Sequence, residues 1–183
     1  MTRVGYTECL SWAEVAGSAL TSTAAASLLP PPAVYTAPAS QFWDVGKKLK
    51  MEASGIVSNI VTTPGTLTLS VQMPSGTSLT SLGAIPLNVV AKTNVSWDLQ
   101  LWISCRSIGN STNATLWVQG RFESESVQGA TAGFPLACSL PASGAAASTG
   151  FNSTGAITVD LYGIFSLTGN SMTLEQYSLY AEN

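Results

Sequence analysis

Two segments in the middle of the chain alternate apolar and polar residues with a period of two. They are residues 97–106 (WDLQLWISCR) and residues 114–123 (ATLWVQGRFE). This period is typical of strands with one buried face, because successive side chains point to opposite sides of a strand. Residues 107–113 are rich in Gly, Asn, Ser and Thr, a composition that indicates a turn. The pattern therefore predicts a long antiparallel hairpin centred near Asn110 and Ser111.

Shorter alternating runs on both sides of the hairpin predict further strands. Residues 48–57 and 66–73 precede it, and residues 157–162 and 172–180 follow it. A break of phase near Gln176 indicates a β-bulge. About seven or eight strands with long connections predict an all-β fold, an antiparallel β-sandwich of the jelly-roll type. Weaker patterns predict the remaining strands, at residues 87–89 and 134–140.

Residues 1–40 differ in composition from residues 41–183, and we expect an N-terminal arm followed by the β-sandwich domain. Ser11 and Glu14 have the spacing of a capping box and predict a short helix over residues 12–20. Three prolines then follow two leucines, which predicts an extended, polyproline-like segment because proline fixes the backbone and lacks a donor. Such an arm lies on its own domain or reaches a neighbouring subunit, and the sequence leaves both possibilities open.

Charged side chains are scarce. They make up 9% of the chain, against about 25% in ordinary soluble domains, while 45% of the residues are hydrophobic. The net charge of −3 offers no basic surface for nucleic acid. A surface of hydroxyls and amides favours a protein that works in association, in an oligomer, a shell or a fibre. We interpret the basic cluster of Lys47, Lys48 and Lys50 as the solvated start of a strand, with a bound phosphate or acidic partner as the alternative.

The cysteines do not form a metal motif. Cys9, Cys105 and Cys138 lack metal-ligand spacing, and the chain has no histidine. Their odd number and the lack of a signal peptide lead us to expect reduced thiols. Cys105 is in phase with the apolar positions of its strand and is predicted to be buried. No apolar run approaches the roughly 20 residues that cross a bilayer, so no membrane is expected.

The residue types argue against catalysis. Without histidine, a Ser-His-Asp or Cys-His site cannot be built in its usual form. Asp98 and Glu123 are predicted to face each other across the hairpin. We interpret them, with Arg106 and Arg121, as a charge-balanced strand surface rather than the carboxylate pair of a glycosidase. No phosphate-binding or calcium-binding loop motif is present. We expect a protein that is not an enzyme and that holds no cofactor and no metal.

The tryptophans of the hairpin fall into two groups. Trp97 is in phase with the apolar set and is predicted to lie in the core. Trp102 and Trp117 interrupt the polar face and are predicted to be neighbours across the hairpin, with Arg106 and other polar residues beside them. The sequence leaves three interpretations open for this face: a surface covered by the chain itself, a subunit interface, and a platform for sugars.

Several runs of the chain resemble virion proteins of tailed bacteriophages. The clearest are residues 46–58 (GKKLKMEASGIVS), 62–69 (TTPGTLTL), 97–109 (WDLQLWISCRSIG) and 118–122 (VQGRF). With weaker matches upstream, the resemblance extends over roughly residues 17–125. It is a pattern of alternating strands and turns, so it is more specific for the family than for the role.

The resemblance implies a non-enzymatic structural protein of the virion. The first role is a capsid decoration (cement) protein on the outer capsid surface, which binds as a homotrimer and stabilises the major capsid protein lattice. The alternative is a tail fibre or receptor-binding module that binds host surface carbohydrate. The expected partners are the major capsid protein and further copies of this chain, with no nucleic acid and no membrane. The candidate contact residues are Leu28, Leu29, Pro30, Pro31, Pro32, Tyr35, Trp102, Trp117 and Arg121, together with the long loop over residues 128–155.

Overall fold

The alternating segments form strands of two antiparallel sheets. The structure, a computed structural model, describes residues 7–41, 44–72, 78–142, 144, 147–148 and 150–182. No α-helix is present among these residues, and the all-β prediction is confirmed. The strands are β1 (Thr7–Trp12), β2 (Ala26–Ser27), β3 (Tyr35–Ala37), β4 (Lys48–Asn59), β5 (Thr66–Gln72), β6 (Ser78–Pro86), β7 (Lys92–Ser107), β8 (Thr115–Ser124), β9 (Leu136–Leu140), β10 (Ile157–Phe165) and β11 (Ser171–Glu182).

The two sheets share one hydrophobic core. The six-stranded sheet has the order β1-β11-β4-β7-β8-β9, and the second sheet has the order β2-β10-β5-β6, with β3 also paired to β10. The apolar phase of each long strand points inward, so that residues such as Leu101 of β7 and Leu161 of β10 are fully buried in the same cluster. Two antiparallel sheets are therefore established, whereas the jelly-roll connectivity stays a prediction.

The central hairpin forms as predicted. β7 and β8 pair antiparallel from Trp97 opposite Ser124 to Ser107 opposite Thr115, which centres the turn at Ser111. Trp97 is fully buried, stacks on Phe122 at 6.0 Å between ring centroids, and donates from Nε1 to two backbone carbonyls. Cys105 is also fully buried. The predicted bulge is present in β11, where the register shifts between Leu174 and Gln176.

The predicted helix over residues 12–20 is wrong. Ser11, the expected cap, lies in β1, and its hydroxyl donates to the carbonyl of Ala33. The chain then runs along β11, and the amides of Ala13, Gly17 and Leu20 donate to β11 carbonyls. A Cβ atom on Gly17 would clash with the carbonyl oxygen of Leu28. These contacts to a ready-made strand replace the local hydrogen bonds that a helix would have made.

The extended N-terminal arm is not confirmed. Leu28 and Leu29 are buried in the core of the same chain, and the amide of Leu28 donates to the carbonyl of Leu161 in β10. Leu20 hydrogen-bonds to Met172 of β11 and lies against Gly163 of β10, between the two sheets. The described residues 7–37 therefore close one side of the sandwich, while residues 1–6 of the expected arm lie outside the described residues.

The region before the hairpin also differs from the prediction. Residues 87–89 are not a strand but part of the connection between β6 and β7, and most of the residues before them form β6. The sequence pattern missed β6 because its register with β5 shifts opposite Thr68 and Ser70. This shift is next to Gly83, whose φ is 80°. A bulge of this kind breaks the period of two on which recognition depends. The weak strand predicted at residues 134–140 is present in shorter form as β9.

Candidate binding surfaces

The outer face of the six-stranded sheet carries a groove around the two out-of-phase tryptophans. Trp102 of β7 lies opposite Gln119 of β8, and Trp117 lies opposite Ser104, so the two rings occupy diagonal positions as predicted. Trp102 is 38% exposed, and Trp117 is half-buried. The groove has a volume of about 400 Å³, and we call it the aromatic groove. Its described lining residues are Gly46, Lys48, Trp102, Ser104, Arg106, Trp117 and Gln119.

The aromatic groove is electropositive. The guanidinium carbon of Arg106 lies 5.6 Å from the centroid of the Trp117 ring, a cation–π geometry. Lys48 is exposed on the opposite side of the groove, and none of the described lining residues carries a carboxylate. Glu182 lies opposite Lys48 on β11, on the side away from Trp102. Two cationic side chains therefore line the groove, and the carboxylate of Glu182, across from Lys48, lies outside it.

A polar hollow lies on the same face, next to the aromatic groove. Asp98 is directly opposite Glu123, which confirms the predicted pairing across the hairpin. The hollow has a volume of about 240 Å³ and is lined by Glu52, Asp98 and amide side chains, including Gln100. Glu52 is bound to Lys50 at 2.8 Å, and this hydrogen bond raises the pKa of the lysine. No cluster of three metal-ligating side chains exists among the described residues.

The other candidate contact residues have different exposure. Leu28, Leu29 and Pro30 are buried in this chain, so their side chains offer little surface to a partner. Pro31 and Pro32 are exposed in a short 3-10 turn, and Tyr35 is half-buried in β3. Arg121 is exposed on the face of the aromatic groove, opposite Gln100. In the long loop, Ser143, Ala145, Ala146 and Thr149 lie outside the described residues.

The opposite end of the sandwich presents aliphatic side chains on three converging connections. Val61 is 62% exposed in the β4–β5 connection, Val89 and Val90 are 51% and 60% exposed after β6, and Leu167 is 44% exposed after β10. The amide of Thr62 donates to the carbonyl of Val89, which joins two of these connections. We call this surface the aliphatic end. β4 has 12 residues and runs from one surface to the other, which separates them by about 35 Å.

Buried asparagines hold the aliphatic end together. The side-chain amide of Asn59 donates to the carbonyls of Asn88, at 2.6 Å, and Val90, at 3.1 Å. Asn88 in turn donates to Ala130 at 2.8 Å. Asn170 accepts from the amide of Ile60 at 3.1 Å and donates to Pro64 at 2.8 Å and Leu167 at 3.2 Å. All three asparagines are at most 4% exposed, so each replaces water for backbone groups that the turns leave unpaired.

One ion pair borders the aliphatic end. Lys92, at the start of β7, lies 3.2 Å from Glu125, which also accepts from the amide of Gly133 at 2.9 Å. The backbone hydrogen bond and the lysine together lower the pKa of Glu125. The valines and the leucine beyond this pair carry no charge, so the end is apolar at its centre with a neutralised border.

Comparison with known proteins identifies no relative. No protein-family model, no curated protein and no solved structure matches this chain significantly. Among the described residues, no helix is long and apolar enough to cross a membrane.

The aromatic groove was predicted from the sequence in part, and the aliphatic end was not. The signal for the groove was a break in alternation, two tryptophans at polar positions of a strongly periodic hairpin. The aliphatic end is built from isolated valines in loops, which resemble ordinary loop composition. The available signal was three asparagines, each at or beside the end of a strand, since such residues often hydrogen-bond to nearby backbone.

Proposed function

We propose that the chain is a non-enzymatic structural protein of a tailed-bacteriophage virion, a capsid decoration protein. It would bind the outer shell as a homotrimer and stabilise the lattice of the major capsid protein. The aliphatic end is the observation that carries this proposal. Four exposed aliphatic side chains on a rigid, uncharged surface are suited to burial against another protein, because apolar burial is the main favourable contribution to association.

The rigidity of the aliphatic end supports attachment to a lattice. Loops tied by buried asparagines lose little conformational freedom on binding, so more of the contact free energy remains for affinity. A homotrimer would present three such ends at once, and multivalent attachment strengthens weak individual contacts. Binding to the assembled shell and not to its dissociated subunits would stabilise the shell by linkage.

A second candidate function, a tail fibre or receptor-binding module, is favoured by the aromatic groove. Exposed indole, guanidinium, hydroxyl and amide groups in one concave site form a composition suited to carbohydrate. In this role the aliphatic end would attach the domain to a tail protein instead of to the shell. The two roles therefore differ in the position of the chain on the particle and in its copy number.

The copy number of this chain in purified virions tests the proposal. Quantitative mass spectrometry against the major capsid protein would measure it. A number comparable to that of the capsid protein supports decoration of the shell, whereas a handful of copies supports a place on the tail. If the chain is missing from purified virions, both roles are wrong. Sedimentation equilibrium of the isolated protein would test the homotrimer separately.

A further inference from the structure

We propose that the aromatic groove is a binding site for an acidic saccharide, a chain of sugar rings that carries a carboxylate. This inference deepens the second candidate function by naming its ligand class. It does not depend on where the chain sits on the particle, since it concerns a site on the isolated domain.

The shape of the site fits a sugar chain. The aromatic groove lies on a pleated sheet face and has a volume of about 400 Å³, within the range of small-ligand sites. The Trp102 ring is 38% exposed, and Trp117 is diagonal to it on the next strand. Indole rings at such positions provide apolar surface for the C–H faces of successive sugar rings, at a low cost in side-chain entropy.

The hydrogen-bonding groups of the groove match hydroxyl-rich ligands. Ser104 donates and accepts through its hydroxyl, and Gln119 does so through its amide. Both residues stand on the strands that carry the tryptophans, each opposite one of the rings. A sugar stacked on an indole would therefore meet a polar side chain from the neighbouring strand.

The charge of the groove selects an acidic sugar over a neutral one. The guanidinium of Arg106 lies over Trp117 at 5.6 Å, which leaves its N–H groups able to donate to a carboxylate. Lys48 adds a second cation, and the described lining contains no carboxylate that would compete. Two cations on a chain of net charge −3 are too few to favour a nucleic acid.

The position of the groove is compatible with the proposed attachment. It lies at the start of β4 and the aliphatic end lies at the end of β4, about 35 Å away. A copy attached by its aliphatic end would hold the aromatic groove away from that attachment surface. Attachment and saccharide binding would therefore not compete.

Matched pairs of saccharides test the proposal on the purified full-length protein. The first pair is a β-1,4-linked tetramer of glucuronic acid and cellotetraose, which differ only in a carboxylate against a hydroxymethyl group on each ring. The second pair is sialyllactose and lactose, which differ by a whole sialic acid residue, so the first pair isolates the effect of the carboxylate. Isothermal titration calorimetry and tryptophan emission would measure binding up to about 10 mM, the weak end of the affinity scale. We expect saturable binding of at least one acidic saccharide, at least about tenfold tighter than that of its neutral partner.

Three variants connect that binding to the groove. W102A should abolish it, and R106Q should reduce the preference for the acidic member while leaving weak binding of both. W12A is the matched control, because Trp12 is 55% exposed at the far edge of the same sheet, and it should bind as the wild type does. Thermal unfolding of each variant would verify that it is folded.

The proposal is overturned by any of three results. These are no saturable binding of either acidic saccharide, equal binding of acidic and neutral members, and unchanged binding in folded W102A. A tetraglutamate peptide that binds more tightly than the acidic saccharides would identify the groove as a protein-docking site instead. None of these results bears on the copy number in virions, so failure here is distinct from failure of the proposed role in the particle.

Discussion

The aromatic groove and the aliphatic end expose different kinds of side chain. At the aromatic groove, large side chains project from strands, and their functional groups face solvent: indole rings, a guanidinium and an ammonium. At the aliphatic end, the exposed side chains are small and uncharged, and the polar groups are buried asparagines that pair with loop backbone. The binding properties of the groove therefore depend on its exposed side chains. The shape of the aliphatic end depends on the buried hydrogen bonds that hold its loops.

This difference separates stability from binding in the two regions. A substitution in the groove removes a contact that is partly exposed already, so folding should change little while binding changes much. A substitution among the buried asparagines orphans several backbone groups at once, and each orphaned group carries a desolvation cost. The ends should also respond differently to salt, because the groove uses charges that ions screen and the aliphatic end does not.

The largest effect on stability is expected for N170A. The change removes the hydrogen-bond partner of the Ile60 amide and of the Pro64 and Leu167 carbonyls; the bond to Pro64 is buried and the other two are partly buried. We expect a loss of about 4 kcal/mol in the free energy of unfolding. Urea denaturation would measure it. N152A is the control, because Asn152 accepts two local hydrogen bonds but is exposed, and its loss should be below about 0.5 kcal/mol. Equal losses in the two variants would mean that burial of the asparagine is unimportant.

The next effect concerns attachment. The triple variant V61T, V89T and V90T keeps the shape of each side chain but replaces a methyl group by a hydroxyl. Each valine is about half exposed and should lose about 1 kcal/mol of burial energy, a combined loss of about 100-fold in affinity for the shell. Co-sedimentation with particles that lack the protein would measure this affinity. V15T, at a valine that is 62% exposed elsewhere, should bind normally. Unchanged binding of the triple variant would exclude the aliphatic end as the attachment surface.

Strand periodicity explains why the groove could be predicted. In a hairpin with a clear turn, the period of two fixes both the register and the face of every residue. The diagonal of Trp102 and Trp117 and the pairing of Asp98 with Glu123 followed from that register alone. The exposure of the tryptophans did not follow, because it depends on what the rest of the chain covers.

The N-terminal segment and the aliphatic end could not be predicted in the same way. The local capping signal of Ser11 and Glu14 was overridden by pairing with β11, a strand more than 160 residues later in the chain. Asn59, Asn88 and Asn170 are far apart in sequence and come together only because β4 and β6 end, and β11 begins, at the same end of the sandwich. Tertiary contacts of this kind leave little signal in the local sequence. Sequence patterns therefore predict hairpins better than they predict contacts between distant loops.

A smaller effect on stability is expected when the pH is lowered, because Glu125 at the border of the aliphatic end becomes protonated. The pKa of Glu125 is lowered in the folded chain, by Gly133 and Lys92, so the ionised carboxylate stabilises the fold. That stabilisation is present above the ordinary carboxyl pKa of 4.5 and is lost as the pH falls through the lowered value. Wild-type stability should therefore decline as the pH falls below about 5, and E125Q should show a shallower decline. Urea denaturation across this range would measure both, and an identical slope in E125Q would contradict the assignment.

The smallest effect is expected at the aromatic groove itself. R106Q removes the cation above Trp117, and exposed cation–π contacts contribute about 0.5 kcal/mol, so the free energy of unfolding should fall by about that amount. Thermal unfolding would measure the loss, and a shift in tryptophan emission would report the changed environment of the ring. R121Q, an exposed arginine change on the same face, should leave the emission unchanged. A loss of several kcal/mol in R106Q would instead show that the aromatic groove contributes to folding. In that case the aromatic groove and the aliphatic end would not differ in the way argued above.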